Sequence, residues 1–108
     1  MKVYLSLVKE EKDISATVLS AINAWLGGGR DGIELLPADQ DPGLLLIIKN
    51  KFDLKDPLNA LYAVAKQEKC DFVVGYIEEQ TNSKEDVCYF GHEEGRPDLH
   101  EIACYLGL

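Results

Sequence analysis

The sequence predicts an α+β fold: a single two-layer sandwich, with helices laid on one face of a mainly antiparallel sheet. Three observations lead there. Short stretches of period-two hydrophobicity alternate with longer stretches of helical period. The run Leu44–Ile48 is aliphatic at every position, as in an interior strand. A polar stretch, Glu79–Asp86, separates two further apolar strands in the manner of a hairpin. A chain of 108 residues forms one domain, here residues 1–108.

The elements follow in order. Val3, Leu5 and Leu7 alternate with Tyr4 and Ser6, which gives a strand with one buried face. Asp13 is a candidate cap for a helix running to about Leu26. Ile14, Val18, Ile22 and Trp25 form its apolar stripe, with Leu19 and Leu26 beside it. Gly27-Gly28-Gly29 ends that helix, because glycine accepts a left-handed backbone at low cost. A short strand is expected near Ile33–Leu36, then a Pro- and Asp-rich turn from Pro37 to Gly43. Leu44–Ile48 is placed centrally in the sheet with both faces covered.

Asp56-Pro57 has the form of an N-cap followed by proline at the first helical position. The helix it opens runs to about Lys69 and buries Leu58, Leu61, Tyr62 and Ala65. Phe72–Ile77 and Val87–Phe90 are the hairpin strands. Pro97 opens a last helix, in which Leu99, Ile102, Ala103 and Leu106 supply the i, i+3, i+4, i+7 stripe. The order is therefore β-α-β-β-α-β-β-α. Its first six elements match the split βαβ order of ferredoxin-like domains, extended by a hairpin strand and a C-terminal helix. That fold hosts many functions, so function has to be read from individual residues.

Charge is unevenly distributed. Met1–Lys66 carries 8 basic and 9 acidic side chains, whereas Gln67–Leu108 carries 3 and 10. A net charge of −8 disfavours nucleic acids and anionic membranes as partners and suits a basic protein. Cys70, Cys88 and Cys104 are odd in number and widely spaced, which fits reduced thiols better than a disulfide framework. With no apolar run long enough for a membrane span, the expected location is the cytoplasm.

The densest polar segment is Gly91–Glu101, which holds both histidines. His92 there could act as a general base oriented by Glu93, Glu94 or His100. The same residues suit a strand-to-helix connection, with Gly91 and Gly95 turning the chain and Asp98 and Glu101 at a helix start. The connection takes precedence, because a base also needs a pocket. Cys88, His92, His100 and Cys104 have the ligand types for zinc, but His-x-x-x-Cys is not a usual structural spacing, and no metal or other cofactor is expected. Gly27-Gly28-Gly29-Arg30 follows a helix, whereas phosphate loops precede one. The helix Ile14–Leu26 is uncharged throughout and offers Ser15, Thr17, Ser20, Ala21, Asn23 and Ala24 away from its core stripe. That face suits a homodimer contact or a covering loop.

With no catalytic motif present, the leading expectation is a non-enzymatic acidic inhibitor of immunity or anti-defence type. Its partner would be a basic nuclease, toxin or nucleic-acid-binding protein. Glu78, Glu79, Glu85, Asp86, Glu93 and Glu94 are the expected partner-binding residues, as counter-charges for Lys and Arg. Tyr76, Tyr89 and Tyr105 would add contact area if exposed. The alternatives are a small enzyme centred on His92 and a structural subunit or homodimer.

Overall fold

Alternation along β1 (Lys2–Leu7) sends Val3, Leu5 and Leu7 to one face of the sheet, where all three are buried. In the computed structural model, which describes residues 1–108, that face is covered by helix α1 (Ser15–Leu26), helix α2 (Lys55–Glu68) and helix α3 (Leu99–Tyr105). The remaining strands are β2 (Ile33–Leu35), β3 (Gly43–Ile47), β4 (Asp71–Ile77) and β5 (Lys84–Gly91). They lie in the order β2-β3-β1-β4-β5, and every neighbouring pair is antiparallel. The protein is an α+β domain with a five-stranded antiparallel sheet and three α-helices.

One core lies between the layers. Val18 and Ile22 of α1, Leu58, Leu61 and Ala65 of α2, and Ile102 and Ala103 of α3 join Leu5, Leu44, Leu46, Phe72, Val74 and Phe90 in it. The rings of Phe72 and Phe90 stack with centroids 5.7 Å apart, which adds about 0.5–1.5 kcal/mol to the burial itself. Gly27, in a left-handed conformation (φ 59), closes α1 and donates its N–H to the Asn23 carbonyl at 3.0 Å.

Several expectations need correction. The centre of the sheet is β1, not β3. Nor are both faces of β3 covered: Leu44 and Leu46 face the helices, but Ile47 is 44% exposed on the side that carries none. The first helix begins at Ser15, with Ile14 at the cap position. Asp13 still accepts the Ser15 N–H at 3.0 Å, and that bond lowers its carboxyl below the usual range.

Asp56-Pro57 does not open α2. A 3₁₀ turn over Lys51–Leu54 precedes the helix and is closed by a capping box, in which Asn50 accepts the Phe52 N–H. Asp53 in turn accepts the Lys49 and Asn50 N–H groups, which hold its carboxyl below the usual carboxylate range. Pro57 falls in the first turn of α2, where a missing N–H costs nothing. β5 begins at Lys84, so Glu85 and Asp86 are strand residues and not loop residues. α3 starts at Leu99, capped by Asp98, which accepts the Glu101 N–H at 2.9 Å.

Candidate functional site

All six expected partner-binding carboxylates belong to exposed residues along one border of the sheet. β5 is the edge strand there. Glu85 and Asp86 are on it, Glu78 and Glu79 follow the end of β4 in the hairpin, and Glu93 and Glu94 lie just beyond the other end of β5. Period-two geometry sends Glu85 and Asp86 to opposite faces. Glu85 pairs with Tyr76 on the helix-bearing side, and Asp86 pairs with Gly75 on the open side. β5 has eight residues, so the acidic hairpin and the acidic turn stand roughly 23 Å apart. The acids therefore form a rim and not a single cluster.

Each end of the rim has a local cause. At the hairpin, Glu78 N–H donates to Ser83 O at 2.8 Å, and Asn82 takes a left-handed backbone (φ 58). At the other end, Gly91 and Gly95 exchange backbone hydrogen bonds at 2.8 and 2.9 Å. The buried Asp71 at the start of β4 accepts the N–H groups of Glu93 and Glu94, both at 3.0 Å. The turn is thus held by backbone contacts, which leaves the Glu93 and Glu94 side chains free in solvent.

The open face holds a constellation that sequence reasoning missed. Tyr4 alternates to this side of β1, and its ring lies over Gly75, whose missing side chain leaves the room. Only 2% of Tyr4 is exposed. Its hydroxyl donates to Asp86 Oδ1, and burial, then this bond, pushes its ionisation well above the usual range. Lys84 crosses the same ring, with Nζ 5.2 Å from the centroid, and donates to Gln40 Oε1 at 2.5 Å. Tyr89, half exposed, stands beside them at a cleft of about 300 Å³. The readable signal was the lone glycine inside the run Phe72–Ile77, which marks a close approach.

A larger groove of about 750 Å³ lies between the N-terminal part of α1 and the Pro37–Pro42 turn. Val8, Ile14, Leu19 and Pro37 give it apolar walls, and Lys9, Lys12 and Lys84 reach its border. Lys9 is paired there with Asp41 at 3.8 Å.

Nothing gathers around His92. It is exposed on its turn, lines neither cavity and shares no side-chain hydrogen bond with Glu93, Glu94 or His100. Burial pushes the Cys70 thiol up to about 11; for Cys88, burial first and then the Glu101 charge do the same. No three His, Cys, Asp or Glu side chains come together as metal ligands. Of the three tyrosines, Tyr89 and Tyr105 are exposed, whereas Tyr76 packs against the core. The Tyr105 hydroxyl donates to Glu101 at 2.9 Å, a bond that pushes the phenol above its usual range. Of the expected uncharged face of α1, Thr17, Ser20, Asn23 and Ala24 are exposed, whereas Ser15 and Ala21 are half-buried, so that face is mostly open to solvent. No helix is long and apolar enough to cross a membrane. No protein-family model matches this chain, nor does any curated protein or solved structure.

Proposed function

We propose that this chain is a small acidic protein-binding inhibitor, of immunity or anti-defence type, with no catalysis of its own. Its partner is a basic nuclease, toxin or nucleic-acid-binding protein. The observation that carries this reading is the unneutralised rim: Glu78, Glu79, Glu85, Asp86, Glu93 and Glu94 are exposed, and none joins an ion pair. Fields from such a rim steer a cationic surface toward it and set its orientation. Salt screens these fields beyond about 8 Å at physiological ionic strength, so the two ends of the rim act as separate contacts. The matching partner surface is an extended basic strip and not a point charge.

The proposal treats the first six elements as a ferredoxin-like core to which β5 and α3 are added. Support for that comes from the order β2-β3-β1-β4 with antiparallel neighbours throughout. It places the protein in the cytoplasm, a reducing compartment consistent with three free thiols.

The test is affinity capture from the native host at low and moderate salt, followed by a nucleic-acid-binding or nuclease assay on the captured protein. The expected result is a basic partner recovered at low salt, weakened by added salt and inhibited in its own assay. Recovery of no basic partner at either salt overturns the proposal. A second reading, self-association through α1, is favoured by the exposed uncharged face of that helix. Light scattering decides it, and a strict monomer at high concentration removes it.

A further inference from the structure

The cleft on the open face of the sheet already holds an ammonium group. Lys84, which lines the cleft together with Asp86, places its Nζ 5.2 Å from the Tyr4 ring centroid and donates to Gln40 Oε1. Asp86 receives the Tyr4 hydroxyl on Oδ1, and no hydrogen bond reaches its Oδ2. Asp41 stands at the rim of the same cleft, and half of Tyr89 faces solvent there. Two tyrosine rings, the Asp86 carboxylate and Asp41, which Lys9 already pairs at 3.8 Å, are the partner types a cation requires.

We infer that this cleft is a socket for one arginine or lysine side chain of the basic partner, and that Lys84 fills it in the free protein as an internal stand-in. The inference rests on the basic-partner reading above and adds where the partner inserts. Lys84 is held by one neutral hydrogen bond and one cation–π contact, and its own residue is exposed, so its head group returns to water readily. Its departure leaves Lys9, paired with Asp41, as the one cation lining the cleft, and leaves Asp86 without one. Arginine is the favoured guest, because a guanidinium stacks on the Tyr89 ring while its fork meets a carboxylate. The volume of about 300 Å³ suits one such side chain.

The experiment is a titration of isotope-labelled protein with acetyl-arginine-amide, followed by NMR, with the uncharged acetyl-citrulline-amide as control. Shifts at Tyr4, Lys84 and Tyr89 with arginine alone are expected. Lys84→Ala removes the competing occupant and tightens binding by about threefold or more. Asp86→Asn and Tyr89→Ala weaken it by a similar factor. Shifts centred on Glu93 and Glu94, an equal response to citrulline, or a Lys84→Ala protein that binds no tighter overturn the inference. The two readings fail separately. If the arginine probe enters the socket but the host yields no basic partner, the proposed function fails and the socket stands. If a partner binds regardless of Asp86→Asn and Tyr89→Ala but is lost when Glu78 and Glu79 become glutamine, the socket fails and the proposed function stands.

Discussion

Substituting alanine for Gly91 tests how the acidic turn is held. Gly91 has φ +143, a conformation L side chains rarely adopt. A Cβ there would lie 2.6 Å from the Cys70 carbonyl oxygen and 2.7 Å from both Cα and Oδ1 of Asp71, whereas ordinary contact begins at 3.4 Å. Two of those atoms are backbone at the start of β4 and cannot rotate away. The third is the oxygen that receives the Glu93 and Glu94 N–H groups. Backbone strain costs about 1–3 kcal/mol. Steric overlap costs about as much again. The reduced entropy of the unfolded chain offsets about 0.4–1 kcal/mol of this. The net expectation is a loss of about 2–5 kcal/mol.

Gly95 supplies the control. It belongs to the same turn and also has positive φ (+94), yet nothing lies within 4 Å of its added Cβ. Gly95→Ala therefore carries the strain without the overlap and costs about 1–2 kcal/mol. Urea unfolding of both variants, followed through Trp25 fluorescence and circular dichroism, isolates the steric part as their difference. A Gly91→Ala protein no less stable than Gly95→Ala refutes the reasoning.

Three further outcomes are expected. Tyr4→Phe loses the bond to Asp86 and about 1–2 kcal/mol. Because folding raises the ionisation of Tyr4 above its ordinary 10.0, its contribution is complete below that pH and is lost above it; the phenylalanine variant should therefore show a shallower alkaline decline in urea midpoint. Phe72→Ala removes a fully buried ring stacked on Phe90 and should cost about 3–5 kcal/mol, read as a lowered midpoint at unchanged slope. Iodoacetamide at mildly alkaline pH should label exposed Cys104 first, since burial raises the Cys70 and Cys88 thiols to about 11; mass spectrometry showing early labelling of Cys70 contradicts this.

Legibility followed burial. β1 and the inner stripes of the three helices were readable because each buries a periodic face against one core. The start of β5 was not, because Lys84, Glu85 and Asp86 lie on an edge strand where water accepts charge and no apolar period is imposed. The start of α2 was not, because Asp56-Pro57 has the form of a cap, whereas a 3₁₀ turn over Lys51–Leu54, capped by Asn50 and Asp53, runs directly into the helix ahead of it. Exposure of the six carboxylates was legible from composition, but their separation was not. It depends on strand phase for Glu85 and Asp86, and on Asp71, more than twenty residues away in sequence, for Glu93 and Glu94.

Charge along β5 is expected both from edge protection and from the proposed partner recognition, and the two differ in one respect. An edge strand presents unpaired N–H and C=O groups, and charged side chains and bulges keep other chains from pairing with it. β5 has both: Lys84, Glu85 and Asp86 on the strand, and a register shift opposite Val74 and Gly75. Edge protection is indifferent to sign, and the strand does carry both signs. It also acts only where there is a ladder to protect. Glu78, Glu79, Glu93 and Glu94 lie beyond the ends of β5, in turns closed by main-chain bonds of Glu78 with Ser83 and Asn82, by the Gly91–Gly95 pair and by Asp71. Protection leaves their uniform sign unexplained, and so do the turns, which are held by Asp71 and main-chain bonds and not by these carboxylates. Their charge can thus be removed with little effect on the fold, and what such removal does to binding reports on recognition alone.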